Sequence, residues 1–334
     1  MSENMVNWDL FAPRVGESVA VRTSISCPFS CSFCGYPEYA GPYQTVDVGL
    51  IEGELNLIDK IESVKSVNFV DDTFNVPVQR FKEILRRMSG NRCRFKWHSY
   101  FRCQFADEEM VELMKESGCE GVFLGLESGN NEILKNMKKV ADRETYLKGI
   151  EWLKKYDIVT FGSFIIGFPG ETSESIRDTM GFIEESGLDF FRVQLWACEP
   201  TAPIMRKKEE YRLEGANFEW SHATMDAKTA ADWVDRIFLS LDRPIWVPQY
   251  NFNFQRIFHL LHRGMSLEKI KGFLQLFNRG IREKLINPYK REVSGETIDQ
   301  IKKLDEDILY WDLNENDPDQ DVNIFDKYNA DFDI

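Results

Sequence analysis

The first two-thirds of the chain alternates short β-type runs with longer runs in which apolar residues recur every three or four positions. The β-type runs cover residues 18–23, 66–70, 94–98, 121–125, 158–166 and 189–195. The helical runs cover residues 48–61, 78–88, 107–117, 131–137, 143–156 and 173–186. Apolar strands that alternate with helices pack as a parallel sheet covered by helices, so this pattern predicts an α/β fold.

Six repeats rather than eight favour a partial (β/α)6 barrel of the TIM type, open along one side. A doubly wound open sheet remains the alternative, because periodicity alone does not separate the two. Beyond Leu195 the periodicity becomes helical and aromatic residues accumulate. We therefore predict a partial barrel at residues 1–200, a helical substrate-binding or accessory region at 201–304, and an acidic C-terminal tail at 305–334.

The charge of the chain is strongly asymmetric. Its 41 Lys and Arg oppose 55 Asp and Glu, a formal charge of −14. Eleven acids and one base, Lys327, follow Leu304, so the tail carries −10 of that charge. Non-specific nucleic-acid binding needs many basic residues, so we expect no nucleic-acid partner. The tail itself is typical of a solvated or partly ordered segment, or of one that engages a basic partner.

The chain has no run of about 18 apolar residues, so we expect no membrane association. Its N-terminus lacks the basic and apolar regions of a signal peptide, which favours the cytoplasm as its location. Cysteines in a thiol-reducing compartment are more often metal ligands or catalytic groups than disulfide partners. The seven cysteines are therefore candidates for chemistry.

Three cysteines lie together directly after the first strand, in the spacing Cys27-x3-Cys31-x2-Cys34. A structural zinc site takes four protein ligands, yet the next candidates, Cys93 and His98, are far along the chain. Three thiolates suit a [4Fe–4S] cluster in which one iron stays open to a small-molecule ligand. A zinc site completed from a distance, or free thiols, remain the alternatives.

This spacing, with the aromatic Phe33 before the third cysteine and after the first strand of a β/α repeat, resembles the radical S-adenosylmethionine (SAM) superfamily. The resemblance implies that Cys27, Cys31 and Cys34 hold a [4Fe–4S] cluster whose open iron binds the methionine end of SAM. One electron, supplied by a donor such as flavodoxin or ferredoxin, then cleaves SAM to a 5′-deoxyadenosyl radical, which removes a hydrogen atom from substrate.

The same resemblance implies further residues that contact SAM. Asp71 and Asp72, after the second strand, would hold its amino group, unless they cap the next turn. Glu127, at the end of the fourth strand, would contact the methionine or ribose part, unless it starts a helix. The run 165–172 resembles the family's adenine-contacting strand and turn. The full predicted set is Phe33, Asp71, Asp72, Glu127, Ser163 and Ile165.

A closer resemblance covers the runs 69–75, 118–125, 190–196 and 218–226, which are similar to a subgroup containing phosphinate P-methyltransferases and proteusin-type peptide epimerases. Only 26 residues precede Cys27, which disfavours a cobalamin domain, and no cysteine follows Cys198, which predicts a single cluster. The chain is thus predicted to invert L- to D-residues in a ribosomally made precursor peptide. A radical SAM methyltransferase or other C–H-modifying enzyme is the alternative, and a non-enzymatic iron–sulfur or zinc scaffold is the third hypothesis.

An epimerase needs a group that returns a hydrogen atom to the Cα radical, and a thiol suits this role. Cys198, which follows the sixth strand, is the predicted catalytic donor, with Cys103 as the second choice. The alternative is that Cys198 is a buried apolar cysteine. His98, Arg192 and Gln194 are predicted at strand ends, where they would bind substrate.

Overall fold

The structure is a computed structural model that describes residues 6–248, 252–290 and 292–306. The chain divides into two compact units, Met1–Asn278 and Arg279–Ile334. The predicted division at residues 200 and 304 stays a prediction. All of the predicted tail beyond Glu306 lies outside the described residues.

Twelve strands are present among the described residues: β1 Ser18–Val21, β2 Ser24–Ile25, β3 Gln44–Thr45, β4 Ser66–Phe69, β5 Lys96–Phe101, β6 Cys119–Glu127, β7 Val159–Ile166, β8 Phe190–Leu195, β9 Glu214–Ala216, β10 Glu219–His222, β11 Met225–Asp226 and β12 Ile245–Trp246. The helices are α1 Trp8–Phe11, α2 Tyr36–Ala40, α3 Val48–Asp59, α4 Val78–Gly90, α5 Glu108–Glu116, α6 Asn131–Asn136, α7 Arg143–Lys155, α8 Ser173–Glu185, α9 Ala227–Ser240, α10 Phe254–His262, α11 Leu267–Ile286 and α12 Gly295–Glu306.

The main sheet has the order β1-β4-β5-β6-β7-β8-β12, and every neighbouring pair is parallel. Strands that follow one another in chain order through right-handed crossovers place all their helices on one face. A doubly wound sheet would instead reverse its strand order at a switch point. The predicted partial barrel is therefore confirmed, and the doubly wound alternative is excluded.

The prediction of six strands is wrong, because β12 adds a seventh beside β8. With two residues, β12 is too short to produce a periodic pattern in the sequence. The region predicted to be helical also contains the small antiparallel sheet β9–β11. Three of its helices, α9 to α11, were predicted, and α12 was not.

Local side-chain caps explain where several helices begin. The Asp47 carboxylate accepts hydrogen bonds from the backbone N–H groups of Gly49 and Leu50 at the start of α3. Asp142 and Thr172 form reciprocal capping boxes at α7 and α8. Each cap satisfies N–H groups that have no partner inside the helix, so these starts are encoded locally.

Helix α10 packs on the inner face of the sheet, at the end where the strands begin. The Phe254 ring lies 5.7 Å from Phe123 and 5.8 Å from Phe161, centroid to centroid. At the other end of this helix, His262 Nε2 lies 2.7 Å from a carboxylate oxygen of Glu120, which lies at the start of β6. The apolar side chains of α10 therefore fill this end of the half-barrel.

His98 belongs to this inner cluster, and the prediction that it ends its strand is wrong. It is the third residue of β5 and pairs with Asn68 and Gly121 in the middle of the sheet. Its ring stacks on Phe258 at 4.5 Å, and neither ring nitrogen has a hydrogen-bond partner. Burial lowers the pKa of His98 to about 3, so the ring is neutral at pH 7.

The close approach of α10 to the sheet depends on Gly121. A Cβ atom at this position would lie 2.4 Å from Phe258 Cζ and 2.8 Å from the carbonyl oxygen of Val159. We expect Gly121→Ala to lower the free energy of unfolding by about 1–3 kcal/mol through overpacking. The matched control is Gly53→Ala in α3, where nothing lies within 4 Å and alanine should stabilise the helix. Urea denaturation checks both, and equal effects would contradict this packing.

Candidate functional site

The three clustered cysteines lie in the loop between β2 and β3, which also contains α2. The loop begins with Ser26 in a left-handed conformation, at φ 67°. Cys27, Cys31 and Cys34 all line one pocket at the ends of the parallel strands, with about 690 Å³ of empty space that includes open solvent. The three cysteines therefore lie together in this pocket, and their role as cluster ligands stays a prediction.

Backbone hydrogen bonds hold this loop from two sides. The Ser32 N–H donates to the carbonyl of Met137 at 2.8 Å, and the Ser32 carbonyl accepts from the Ile204 N–H at 2.8 Å. The segment around Ile204 is also joined to α2 by an ion pair between Arg206 and Glu38 at 2.7 Å. The chain after β8 thus returns across the mouth of the half-barrel and packs against the cysteine loop.

The three thiols interact with one another and with the strand ends. Burial is the main cause that raises the pKa of the Cys34 thiol. A backbone hydrogen bond from Tyr36 lowers this pKa in part, and the charges of Cys31 and Cys27 raise it further. Cys27 Sγ lies 3.4 Å from Thr73 Oγ1, which follows β4. Among the residues that the structure describes, no three His, Cys, Asp or Glu side chains are arranged to hold a single metal ion.

The two aspartates after β4 have different environments. Asp71 is fully buried and accepts hydrogen bonds from Thr23 N at 3.0 Å and Ser24 Oγ at 2.5 Å. Burial raises the pKa of the Asp71 carboxyl. This side chain therefore ties the end of β4 to Thr23 and Ser24 before the cysteine loop, rather than capping the turn that follows it. Asp72 is exposed and lines the pocket beside Tyr36.

Glu127 ends β6 at a register shift, and it adopts a left-handed conformation at φ 69°. Its carboxylate oxygen lies 3.0 Å from Lys139 Nζ, and both side chains are largely buried, with 11% and 7% exposed. The ammonium group of Lys139 lies 5.6 Å from the centroid of the Phe33 ring. The structure thus brings Phe33 and Glu127 to the same pocket wall.

Four further predicted residues lie side by side on the inner face of β7 and β8. Ser163 pairs with Arg192, and Ile165 pairs with Gln194. Arg192 Nε donates to Ser163 Oγ at 3.2 Å, and its guanidinium carbon lies 4.8 Å from the centroid of the Phe123 ring. Burial lowers the pKa of Arg192, while the Glu127 charge opposes that shift. The register therefore puts these four positions next to one another, and their roles in binding SAM or substrate stay predictions.

The two candidate hydrogen donors are placed elsewhere. Cys198 is fully buried in a bridge with Asn217, and its sulfur lies 3.8 Å from both Met205 Sδ and the Gly215 carbonyl. Cys103 is also buried, and burial raises its pKa to about 12. Neither lines the cysteine pocket. The structure thus brings neither thiol to the three clustered cysteines.

Several pocket residues were not predicted from the sequence. Arg102, Lys139, Tyr100 and Phe123 all line the pocket. Arg102 directly follows β5, so the rule that side chains at strand ends form the site could have found it. Lys139 lies in a loop after α6 and carries no sequence signal of its own.

Comparison with known proteins shows what this part of the chain is similar to. Residues 21–183 match the family model of the radical SAM superfamily. They resemble a radical SAM domain, and the match covers just under half of the chain. They include the cysteine loop, Asp72, Glu127 and Ser163, and they span the barrel from β1 to α8. Members of this superfamily use a [4Fe–4S] cluster and SAM, which confirms the cofactor prediction.

Curated relatives of the radical SAM domain include methyltransferases. The chain is 30% identical over 171 residues to an uncharacterized methyltransferase of Pyrococcus horikoshii, which covers 51% of this chain and 37% of that protein. It is 28% identical over 214 residues to the bacteriochlorophyllide d C-12(1)-methyltransferase of Chlorobaculum tepidum, covering 63% of this chain and 46% of that one. The chain thus spans less than half the length of either relative.

A solved structure shares the fold. The radical SAM methyltransferase TsrM from Kitasatospora setae, solved with cobalamin and a [4Fe–4S] cluster, matches 90% of this chain and 63% of its own, with a TM-score of 0.63 and 15% identity. This likeness supports the partial barrel. No helix among the described residues is long and apolar enough to cross a membrane.

The residues present fit the family's cofactors. Three cysteine thiols on one wall match the ligand set of a [4Fe–4S] cluster that keeps one iron open. The same pocket offers the Asp72 carboxylate for an ammonium group, and the Phe33 and Phe123 rings as apolar surface. Cys27, Cys31 and Cys34 would hold the cluster, and SAM would lie between them and Glu127.

The buried pair of Lys139 and Glu127 gives a stability test. We expect Lys139→Met to lower the free energy of unfolding by about 3–5 kcal/mol, because it leaves a buried carboxylate without its partner. Adding Glu127→Gln should recover part of that loss. The matched control is Lys135→Met, whose pair with Glu132 is exposed and should contribute little. Denaturant unfolding followed by circular dichroism measures all three, and equal effects of Lys139→Met and Lys135→Met would contradict this assignment.

Glu171, in the turn after β7, gives a pH test. One of its oxygens accepts from Gly167 N at 2.5 Å, the other has no partner, and burial raises its pKa to about 8. Because the folded state favours the protonated carboxyl, the stability that Glu171 contributes is complete below the ordinary glutamate pKa of 4.5. It is lost progressively as the pH rises from there through about 8. Each pKa unit corresponds to about 1.4 kcal/mol.

We therefore expect Glu171→Gln to lose less stability than the wild type between pH 6 and pH 9. Thermal unfolding at both pH values measures the difference. The control is Glu174→Gln, an exposed acid in the first turn of α8, which should follow the wild type. Parallel pH profiles for wild type and Glu171→Gln would show that this carboxyl does not titrate in that range.

Proposed function

We propose that this chain is a radical SAM enzyme that modifies a C–H bond of its substrate by methyl or methylthio transfer. The observation that carries the proposal is the pocket in which three cysteines face Asp72 and the Glu127–Lys139 pair at the strand ends. The curated relatives that support this class are methyltransferases by name. Since the chain spans only part of those proteins, its whole activity remains a proposal.

The chain's own residues bind and orient SAM and the substrate, and they exclude water from the pocket. When bound, the cluster and SAM supply one-electron reduction and hydrogen-atom abstraction. Asp72, at the open side of the pocket, accepts hydrogen bonds from a cationic group. The Lys139–Glu127 pair holds the end of β6 in its left-handed conformation, which sets the width of the pocket. Arg192, held against Phe123 by Ser163, offers positive charge to a substrate group on the inner face.

Peptide epimerisation, the main prediction from the sequence, has weaker support. It requires a thiol that can reach the substrate radical from the pocket. Cys198 and Cys103 are both buried away from the pocket lining, in contact with Met205 and Tyr146 respectively. The buried apolar role of Cys198, left open as an alternative, agrees better with these contacts. We therefore place methyl or methylthio transfer ahead of inversion.

The partners are proposed on the same basis. The chemistry requires a one-electron donor, for which a flavodoxin or ferredoxin is suitable. A ribosomally made precursor peptide remains a candidate substrate alongside small molecules. A reducing compartment such as the cytoplasm suits a cluster held by three free cysteines.

Anaerobic reconstitution of the full chain tests the cluster assignment. We expect the wild type to bind iron and sulfide and to release 5′-deoxyadenosine from SAM when dithionite is added. Cys27→Ala, Cys31→Ala and Cys34→Ala should each abolish that release. Cys198→Ser is the matched control and should retain the cluster. Full 5′-deoxyadenosine release by any of the three alanine variants would reject the proposed ligand set.

Product analysis separates the two reaction classes. With SAM carrying a deuterated methyl group, and with cobalamin added, methyl transfer should yield S-adenosylhomocysteine and a labelled methyl acceptor. Co-expression with a neighbouring precursor peptide in D2O, followed by chiral amino-acid analysis, tests inversion. If Cys198→Ala forms as many D-residues with deuterium at Cα as the wild type, inversion uses another donor. If the wild type forms them and Cys198→Ala does not, Cys198 is restored as the donor.

A further inference from the structure

Arg102 is a buried cation beside the cysteine loop. It follows β5 and is only 6% exposed. The Asn75 side chain clamps its backbone from both sides, accepting from Arg102 N at 3.0 Å and donating to Arg102 O at 3.0 Å. This clamp joins the segment between β4 and α4 to the end of β5 and holds the Arg102 backbone in place.

The Arg102 guanidinium has three neighbours. Its carbon lies 3.7 Å from the centroid of the Phe29 ring, within the cysteine loop. Its Nη2 donates to the carbonyl of Lys139 at 2.7 Å and lies 3.9 Å from Cys31 Sγ. Its Nε is buried without a partner. The stack on Phe29 covers one face of the cation and directs its edge towards Cys31.

The charge of this guanidinium is not neutralised by a carboxylate. Among the described residues, no Asp or Glu oxygen lies within ion-pair distance of Arg102, and the nearby Glu127 is paired with Lys139. A buried charge is stable only when it is paired or extensively hydrogen-bonded. The remaining acceptor that Arg102 meets is the Cys31 sulfur, which is an anion when it is a metal ligand.

We propose that Arg102 is a positioning residue that raises the reduction potential of the cluster held by Cys27, Cys31 and Cys34. It does so through an N–H···S hydrogen bond to Cys31 and through its uncompensated positive charge. Hydrogen bonds to the sulfurs, net charge and solvent exposure are the protein's means of tuning such potentials. Reduction adds one electron to the cluster, and a fixed cation beside a ligand sulfur stabilises that added charge. This inference rests on the proposed cluster ligands.

The test uses the full chain, reconstituted anaerobically, and measures the midpoint potential by dithionite titration followed by electron paramagnetic resonance. In Arg102→Gln, we expect the equilibrium constant for one-electron reduction to fall at least tenfold, which is about 59 mV for one electron. Arg102→Lys keeps the positive charge but loses the planar guanidinium group. Its equilibrium constant for reduction should therefore lie between those of the wild type and Arg102→Gln. The matched control is Arg192→Gln. Arg192 is a partly buried arginine on the inner face that contacts Ser163 rather than a cysteine, so its substitution should change the equilibrium constant less than threefold.

The outcomes are distinguishable. A wild type that binds no iron and sulfide would overturn the cluster ligands and, with them, the proposed function. A second outcome is that Arg102→Gln binds the cluster yet has the wild-type potential or the same shift in potential as Arg192→Gln. Either result would overturn the role of Arg102 and leave the proposed function standing. If Arg102→Gln does not load, Arg102→Lys carries the test, and its potential must lie below that of the wild type. Failure of both variants to load, with circular dichroism unchanged, would contradict a tuning role.

Discussion

Parallel pairing of strands in strict chain order is the constraint on which the other features of this molecule depend. Because β1 and β4 to β8 are all parallel, every one of these strands ends at the same edge of the sheet. Residues far apart in sequence, such as Cys27, Glu127 and Arg192, are therefore close in space. The apolar helices cover the outer face and leave the inner face for polar side chains near the strand ends.

Burial makes the charges near these strand ends unusually consequential. Lys139 and Glu127 form a pair that water barely reaches, and Arg192 and Arg102 are held by aromatic rings and by hydrogen bonds to neutral groups. In such surroundings electrostatic interactions are stronger than at a surface, and an unpaired charge costs more. The pocket is thus a region in which the protein, rather than solvent, sets the charge that a bound group meets.

The sequence predicted those residues of this site that belong to a recognisable cysteine spacing or lie near the end of a predicted strand. The cysteine triad is a local spacing, whereas Glu127 and Ser163 were implied only by the resemblance to the radical SAM superfamily. Cys198 and Cys103 show the limit of that reasoning. Position after a strand identifies the edge of the sheet, but the direction of the side chain depends on tertiary contacts such as the bridge between Cys198 and Asn217.

Other differences have similarly specific causes. His98 was assigned to a strand end because the predicted strand stopped at His98, whereas β5 continues to Phe101. Strand β12 pairs through only two residues, so it depends on its neighbour β8 rather than on its own pattern. Arg102 could have been found from its position directly after β5, whereas Lys139 is a single basic residue without a motif that only its burial beside the cysteines distinguishes from a surface charge.

The two backbone hydrogen bonds of Ser32 affect how the protein could lose and regain its cluster. Small metal-binding domains commonly fold only when their ion arrives, so that losing the metal means losing the structure. In this chain Met137 and Ile204 hold the backbone between Cys31 and Cys34 through contacts made entirely by protein atoms. A cluster destroyed by oxygen would therefore leave behind a loop of nearly unchanged shape, which repair by reassembly could use without refolding the protein.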